Sequence, residues 1–234
     1  MKKLILIITA LISVSVINAQ TLDEIIKKYA AAMKIDELAN VKTIKISGKM
    51  SAMGMEMPMT TYMKNPNKIK VIYSFSGQEI VSVFDGEKGY MINPMMGSSE
   101  PVELSGAQLK QVQENSAFSN QLLDYFKKGK LTLEGDELVN GQPAFKIKVN
   151  LEEENPIFMS LDKSTYLLVK TSAKVNQMGQ MMDVDTFMSD YTDVQGVVMP
   201  KKTTASSGGM EMAVVTFDNI EVNLPMEDSL FKAK

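Results

Sequence analysis

Apolar and polar residues alternate along most of the chain, and this period of two constrains the fold more than any other feature. Ile44 and Ile46 alternate with Lys45, and the runs 69–75 and 145–149 repeat the pattern. Successive side chains of a β-strand point to opposite sides of the sheet, so such a strand has one apolar and one polar face. The sequence therefore predicts an antiparallel sheet with one face in contact with solvent.

Glycine-containing turns divide these alternating runs into short strands. Asp85-Gly86 and Asn140-Gly141 stand between such runs, and Asp-Gly and Asn-Gly dipeptides favour the tight turns of β-hairpins. The spacing of the turns predicts about ten to twelve strands. Pro58 lacks a backbone N–H group and indicates that its strand is an edge strand or a bulged strand.

Two segments have helical rather than alternating spacing. Residues 21–40 form the first, in which Thr21 can cap a helix and the apolar residues recur on one stripe. Residues 108–128 form the second, and the polar residues 113–116 indicate a break or two short helices. The combination predicts a mainly β fold of the α+β type, in which helices cover one face of a strongly curved sheet.

Met53, Met55, Met57 and Met59 occupy every second position of one segment, so a β-strand would place them on one face. Methionine in such a row can be ordinary core packing or a flexible apolar wall for a lipid-like ligand. Thioether sulfur also suits Cu(I). Neighbouring sulfurs would lie roughly 7 Å apart along a strand, too far apart to share one ion unless the chain bends. We therefore favour the apolar wall over the metal.

The composition excludes most catalytic chemistry. The chain contains no histidine and no cysteine, which excludes serine and cysteine proteases of the usual type, zinc sites built on these residues, and disulfides. All 25 basic residues are lysine and the net charge is −3, which argues against nucleic acid because arginine is the preferred reader of phosphate and guanine. The sequence predicts a protein that is not an enzyme and has no cofactor or bound metal.

The N-terminus is typical of a secretory signal peptide. Lys2 and Lys3 precede a short apolar run, and Asn18-Ala19 offers a small-residue cleavage site before Gln20. The apolar run is too short to span a bilayer comfortably. We predict that residues 1–19 are removed on export and that residues 20–234 form a single periplasmic domain. An exported chain of this size without disulfides is typical of a bacterial envelope protein.

Several short motifs follow one another along the chain. Lys64-Asn65-Pro66-Asn67 is followed by a strand that ends at Asp85-Gly86 and by Tyr90 to Asn93-Pro94. In this order they resemble the K-x-P-N turn, the D-G strand end and the aromatic-x-x-N-P segment of periplasmic lipoprotein carriers of the LolA type. The segment 191–196 with Pro200, and the ending 228–231, resemble the Y-x-x-V-x-G…P hairpin and D-x-x-F ending of outer-membrane lipoprotein-sorting-like proteins.

The resemblance implies a half-open antiparallel β-barrel, closed by helices, around an apolar cavity for acyl chains. It implies an acylated lipoprotein or a lipid as the bound partner, envelope membrane proteins of the sorting pathway as further partners, and no nucleic acid. The carriers place an arginine after the lysine of the K-x-P-N turn, where it helps to hold the helical lid. This sequence has Asn65 at that position, and asparagine lacks the charged fork of donors.

Two sets of apolar residues are the candidates for binding an acyl chain. The strand residues that alternation turns inward, as a cavity wall, are Ile44, Ile46, Met50, Met55, Met57, Met59, Ile69, Val71, Tyr73 and Phe75. The helix residues that would form the lid are Leu22, Ile26, Met33, Leu122 and Phe126. The alternatives to an acyl-chain carrier are a sensory or adaptor domain of the same fold that binds a protein partner, and a methionine-rich Cu(I)-binding protein.

Overall fold

Thirteen antiparallel strands form one sheet in the computed structural model, which describes residues 20–116, 120–151, 155–177 and 180–233. The strands are β1 (Thr43–Ala52), β2 (Met55–Lys64), β3 (Lys68–Phe75), β4 (Gln78–Phe84), β5 (Gly89–Asn93), β6 (Ser98–Glu103), β7 (Leu131–Val139), β8 (Gln142–Val149), β9 (Ile157–Asp162), β10 (Leu168–Gln177), β11 (Gln180–Val194), β12 (Val197–Ser207) and β13 (Met210–Val222). The predicted signal peptide, residues 1–19, lies outside the described residues.

The strands follow one another as two meanders, β1 to β6 and β7 to β13, which join where β1 pairs with β13. The sheet is strongly curved but not closed, and β6 and β7 are its two edges. The prediction of a mainly β, half-open barrel is confirmed, with slightly more strands than the turn spacing suggests. The prediction from Pro58 is wrong in part, because β2 lies inside the sheet. Pro58 is tolerated because the β2–β3 pairing begins only at Met59.

The predicted helix over residues 21–40 is two helices, α1 (Leu22–Ala32) and α2 (Ile35–Leu38). Thr21 caps α1 in a capping box with Glu24, as its sequence position predicts. The helix ends where Lys34 adopts left-handed backbone angles, φ 49° and ψ 43°. The Lys34 ammonium lies 2.7 Å from Asp193 Oδ2 on β11. A contact between residues so distant in sequence cannot be read from the helical pattern.

The second helical segment connects the two edges of the sheet. It consists of α3 (Gly106–Ser116) and α4 (Gln121–Lys127), which follow β6 and precede β7. The predicted division into two helices is confirmed, although the polar residues 113–116 belong to α3 and the break follows them. Asn120 caps α4 by accepting a hydrogen bond from the Leu123 backbone N–H. Within the described ranges, no helix is both long and apolar enough to cross a membrane.

Helices α1 and α4 pack on the half of the sheet that contains β8 and β9. Ile25 and Ile26 of α1 and Leu122 of α4 are buried in one cluster with Ile147 and Leu161. Complete burial of an aliphatic side chain contributes about 1.5–3 kcal/mol. This cluster therefore supplies a large share of the hydrophobic stabilisation and fixes the helices on one face, which we call the inner face.

The C-terminal segment crosses the opposite, outer face of the sheet. Thr43 Oγ1 donates a hydrogen bond to the Leu224 carbonyl at 2.7 Å. The ammonium groups of Lys64 and Lys68 lie 2.7 and 2.9 Å from the two carboxylate oxygens of Asp228. Their hydrogen bonds, that of Lys64 first, lower the Asp228 pKa to about 2. These contacts fasten the C-terminal segment, with Phe231 buried, to the start of the sheet.

We expect Asp228→Asn to lower the thermal midpoint at neutral pH. The carboxylate has a lower pKa in the folded protein than in the unfolded chain, so its contribution is present above about pH 4 and is lost as the pH falls towards about 2. The difference in midpoint between wild type and Asp228→Asn should therefore shrink across that range. Thermal unfolding followed by circular dichroism at several pH values measures it. Glu134→Gln, on an exposed edge-strand position, is the control, and a difference that is constant with pH would contradict the assignment.

Candidate functional site

The ten strand residues predicted to face inward lie on the same face of the sheet. Directly paired residues of antiparallel strands share a face, and Met50 pairs with Met57 while Met59 pairs with Tyr73. Alternation along β1, β2 and β3, whose mutual register is continuous, brings the other members to that face. The structure therefore brings this set together. Its role in binding a ligand stays a prediction.

Burial divides these residues along the strands. Four are buried: Ile44, Ile46, Met59 and Ile69. The others are partly accessible: Met50, Met57, Val71, Tyr73 and Phe75 are half-buried, and Met55 is 43% exposed. An apolar surface that neighbouring side chains leave partly uncovered is available to a ligand, whereas the buried members are ordinary core.

One end of the inner face is closed by a compact apolar cluster. Val41, Ile44 and Ile46 are buried there with Val197 and Val222. Leu38 of α2 packs against this cluster, so the short helix that follows the Lys34 break covers the end of the sheet. The accessible members of the wall lie towards the other end, which we call the open end.

The methionine row departs from the expected pattern at its first member. Met53 is not on a strand but in the turn between β1 and β2, with φ 51° and 89% of its surface exposed. Gly54 follows it with φ 76°, so the pair forms a tight turn with two positive φ angles. Met55, Met57 and Met59 keep the alternation along β2. The prediction that the four methionines share one face of a strand is therefore wrong.

Small side chains form the floor of the inner face between its two halves. Residues of neighbouring strands pair there in one line, and the members are Ala52, Ala213, Ala205, Thr186 and Thr171 on β1, β13, β12, β11 and β10. Each is half-buried. At one end the line continues through Met159 to Ile147 of the helix-covered cluster, and at the other it reaches Met55. We call this floor, with Met50, Met57, Val71, Tyr73 and Phe75 as its wall, the trough.

Gly48 allows β1 and β13 to lie close together beside the wall. The register between β1 and β13 shifts at this point, and a Cβ atom on Gly48 would lie 2.0 Å from the Thr216 carbonyl oxygen. Any side chain here would push the strands apart. Sequence reasoning missed the whole floor, because the floor depends on which distant strands are neighbours. Its one sequence signal is the alternation of Thr203 with Ala205 on β12.

The predicted lid residues lie in a different cluster from the predicted wall. Ile26 and Leu122 are buried in the cluster on β8 and β9. The other three pack against its edge: Leu22, Met33 and Phe126. Among the described residues, this cluster includes none of the ten wall residues. Helices α1 and α4 therefore cover the half of the inner face with β8 and β9. Helix α3 contacts β3, β4 and β5 on the other half, where Leu109 lies beside the inner-face position of Gly89. The wall side chains between them remain partly accessible.

The charged side chains next to the trough belong to the outer face. Lys45 lies 2.8 Å from Glu221, and Lys49 lies 2.7 Å from Glu56; both lysines alternate with the inward-facing residues of β1. The phenol of Tyr73 is the single ionisable group among the residues that define the trough, and burial raises its pKa. The trough is thus electrically neutral, and it suits hydrophobic contact rather than proton transfer.

A second concavity lies between α3 and α4. It has a volume of about 520 Å³, and amide and carboxylate side chains such as Gln113, Gln121 and Asp124 line it with Tyr125 and Lys128. An alkyl chain placed there would desolvate polar groups without replacing their hydrogen bonds, which is unfavourable. This pocket is therefore a poor candidate for an acyl chain, and the trough remains the better one.

The architecture matches solved structures of low sequence identity. A DUF1329 family protein from Desulfovibrio piger gives a TM-score of 0.59 at 12% identity, over 89% of this chain and 97% of that one. A LolA superfamily protein from Nitrosomonas europaea gives 0.57 at 13%, over 92% and 98%. An outer membrane lipoprotein-sorting protein domain from Vibrio parahaemolyticus gives 0.57 at 11%, over 89% and 94%.

At these identities the likeness concerns the fold alone. The chain has a LolA-like fold, so the resemblance seen in the sequence motifs is confirmed at that level. No protein-family model and no curated protein matches the sequence. The ligand must therefore be argued from the trough itself.

We expect an alanine substitution in the helix cluster to lower the free energy of unfolding more than an alanine substitution in the trough wall. Leu122 is 2% exposed, so Leu122→Ala should lower the free energy of unfolding by about 2–5 kcal/mol. Met57 is half-buried beside the open trough, so Met57→Ala should cost less than half as much. Urea unfolding of both variants measures the two values. Equal costs would mean that Met57 is packed as tightly as Leu122 and that the wall is not accessible.

Proposed function

We propose that the protein is an exported, non-enzymatic carrier that holds the acyl chain of a lipoprotein, or of another lipid-like molecule, in the trough. The observation that carries the proposal is the combination of an uncharged apolar wall, half-accessible side chains and a floor of small residues on the inner face of a LolA-like fold. Residues 1–19 are the export signal in this proposal, and the periplasm is the site of action.

The driving force is hydrophobic transfer. Each methylene group of a ligand that leaves water for an apolar surface gains about 0.8 kcal/mol, so a chain of many methylenes binds well without any specific polar contact. The wall side chains Met50 and Met57 suit this task because methionine is flexible and polarizable and adapts to chains of different shape. Tyr73 and Phe75 add larger apolar surface at the far side of the wall.

The dimensions of the floor agree with a long acyl chain. The floor crosses five neighbouring strands, from β1 to β10. Strands lie about 4.8 Å apart, so the four intervals span about 19 Å. A long-chain acyl group lying across the strands would contact the alanine and threonine floor along its length and the methionine wall at one side.

The predicted residues have two roles in the proposal. The accessible ones contact the ligand directly: Met50, Met55, Met57, Val71, Tyr73 and Phe75. The buried ones, Ile44, Ile46, Met59 and Ile69, form the base that holds them in register. Helices α1 and α4 form the opposite side of the trough. They are held against the sheet by the predicted lid residues Leu22, Ile26, Met33, Leu122 and Phe126.

The proposal also covers the partners. The chain shares its fold with a protein domain named for outer membrane lipoprotein sorting, which supports an acylated lipoprotein as the cargo class. Envelope membrane proteins would deliver and receive this cargo. No step of the proposal breaks or forms a covalent bond, in agreement with a trough whose one ionisable group is the half-buried phenol of Tyr73.

We expect larger side chains on the floor of the trough to weaken ligand binding without unfolding the protein. Ala205 and Ala213 pair directly on the floor, and both are half-buried, so Ala205→Leu with Ala213→Leu inserts two branched side chains into the accessible space. The affinity for a fluorescent fatty acid, titrated into delipidated protein that begins at Gln20, should fall by at least about tenfold. Organic-solvent extraction and mass spectrometry of untreated protein should also recover a bound acyl species from wild type alone.

The matched control places leucine on the outer face. Ser74 lies next to Tyr73 on β3, is half-buried and points to the other side of the sheet, so Ser74→Leu should leave probe binding unchanged. Circular dichroism and the thermal midpoint establish that each variant is folded. If wild-type protein does not bind the probe, or if the filled variant binds it as well as wild type does, the carrier proposal is wrong.

A further inference from the structure

Exposed methionines mark one end of the sheet. In an antiparallel meander the turns alternate between two ends, and one end carries the six turns β1–β2, β3–β4, β5–β6, β8–β9, β10–β11 and β12–β13. Among the described residues, the methionines that are prominently exposed all lie at this end: Met53, Met55, Met95, Met96, Met181 and Met210. Met53, Met96 and Met210 are 89%, 82% and 74% exposed. We call this set the methionine rim.

Five of the six turns at this end are uncharged in sequence. The turn residues are Met53-Gly54, Ser76-Gly77, residues 94–97 and Gly208-Gly209, and none of them carries a charge. The residues between β10 and β11, 178–179, are also uncharged in sequence, although they lie outside the described ranges. An uncharged apolar tip can leave water at little cost, whereas a charged tip cannot.

The other end of the sheet has mainly polar turns, and two of its five turns carry charged residues. Its turns include Asp85 to Lys88 and Asp162-Lys163, and the ion pair of Lys34 with Asp193 lies beside the last turn of β11. Leu138 and Val102, at 71% and 52%, are exposed large apolar residues near this end. Such scattered residues are normal on protein surfaces, but six flexible apolar side chains at the tips of neighbouring hairpins are a concentrated surface.

The methionine rim surrounds the open end of the trough. Met55 pairs with Ala52 of the floor, and Phe75 of the wall directly precedes the β3–β4 turn. The far end of the trough is closed by the cluster around Val41 and Val222. A molecule that enters or leaves the trough along the strands therefore passes the rim.

Acidic side chains next to the hairpin turns of the methionine rim favour one kind of lipid surface over another. Glu79, Glu100 and Glu211 are exposed on the strands that lead to the rim, while Glu56 is paired with Lys49 at 2.7 Å. The sixth turn at this end, between β8 and β9, contains Glu152 to Glu154 in sequence, and these residues lie outside the described ranges. Acidic residues behind an apolar tip are repelled by anionic headgroups, so a zwitterionic lipid surface fits better.

We propose that the methionine rim docks the protein on an electrically neutral bilayer surface, with the open end of the trough facing the lipid. The hairpin tips enter the interfacial region, and the charged end of the molecule stays in water. The inference deepens the proposed function and rests on it for the nature of the cargo. The docking itself rests on the rim alone, so the two can fail separately.

The test places charge on the rim of the protein that begins at Gln20. Met53→Glu, Met96→Glu and Met210→Glu are combined, because each side chain is at least 74% exposed and its replacement removes no packing. Co-flotation with vesicles of phosphatidylcholine and phosphatidylethanolamine measures the partition coefficient. We expect the triple variant to lose at least about tenfold in partition. A second set, with glutamine at the same positions, removes the apolar surface without adding charge and should also lose partition.

The control adds equal charge to the other end. Leu138→Glu, Gln142→Glu and Ser105→Glu change exposed residues there and should leave the partition within twofold of wild type. Loss in the rim variants alone, with fatty-acid binding in vesicle-free solution retained, supports the inference. Wild-type protein that does not float with vesicles, or rim variants that float as well as wild type, overturns it and leaves a protein partner as the reason for the exposed methionines. Rim-dependent flotation without fatty-acid binding would overturn the carrier proposal and leave the docking intact.

Discussion

The pairing of β1 with β13 is the contact on which the rest of the molecule depends. It is the seam between the two meanders, and without it the strands would form two smaller sheets. At one end of the seam Ile44 pairs with Val222 inside the cluster that closes the trough. At the other end Ala52 pairs with Ala213 on the floor. Because the seam joins strands from opposite ends of the chain, it forms only when both meanders are in place.

The inner face is divided by the size of its side chains. On the half with β8 and β9, large residues such as Ile147 and Leu161 meet α1 and α4 and exclude water. Along the floor, alanine and threonine stand in their place on five neighbouring strands. A close-packed interior tolerates few voids, so this change in size along one face is the physical reason why one half is core and the other half is a trough.

The sequence predicts the faces of the strands better than the neighbours of the strands. Alternation alone places all ten wall residues on one side, because the period of two is a property of each strand. The Thr21 cap and the hairpin turns are likewise local. The ion pair of Lys34 with Asp193, by contrast, joins α2 to β11, and the floor depends on Ala205 pairing with Ala213 and Ala213 pairing with Ala52. Such pairings are set by the register of strands that are distant in the chain, so no pattern within one segment contains them.

Methionines only a few positions apart have different structural environments in the segment that begins at Met53. Met57 and Met59 lie on a strand, where their thioethers are held beside other apolar groups, whereas Met53 and Gly54 adopt positive φ angles and turn the chain back. Methionine is uncommon at such an angle, and glycine, asparagine or aspartate would fit the turn with less strain. The turn therefore carries an exposed apolar side chain at a position where a polar residue would cause less backbone strain.

The two ends of the sheet therefore give the molecule a direction. Ion pairs of Lys34 with Asp193 and of Lys64 and Lys68 with Asp228 lie at the closed end, and the exposed methionines of the described residues lie at the open end. A body with this distribution has a preferred orientation at any boundary between water and an apolar phase, because desolvating the charged end costs far more than desolvating the other. The accessible wall of the trough opens towards the end with the methionine rim. The direction in which an apolar cargo can leave and the direction in which the protein can approach an apolar surface are thus the same.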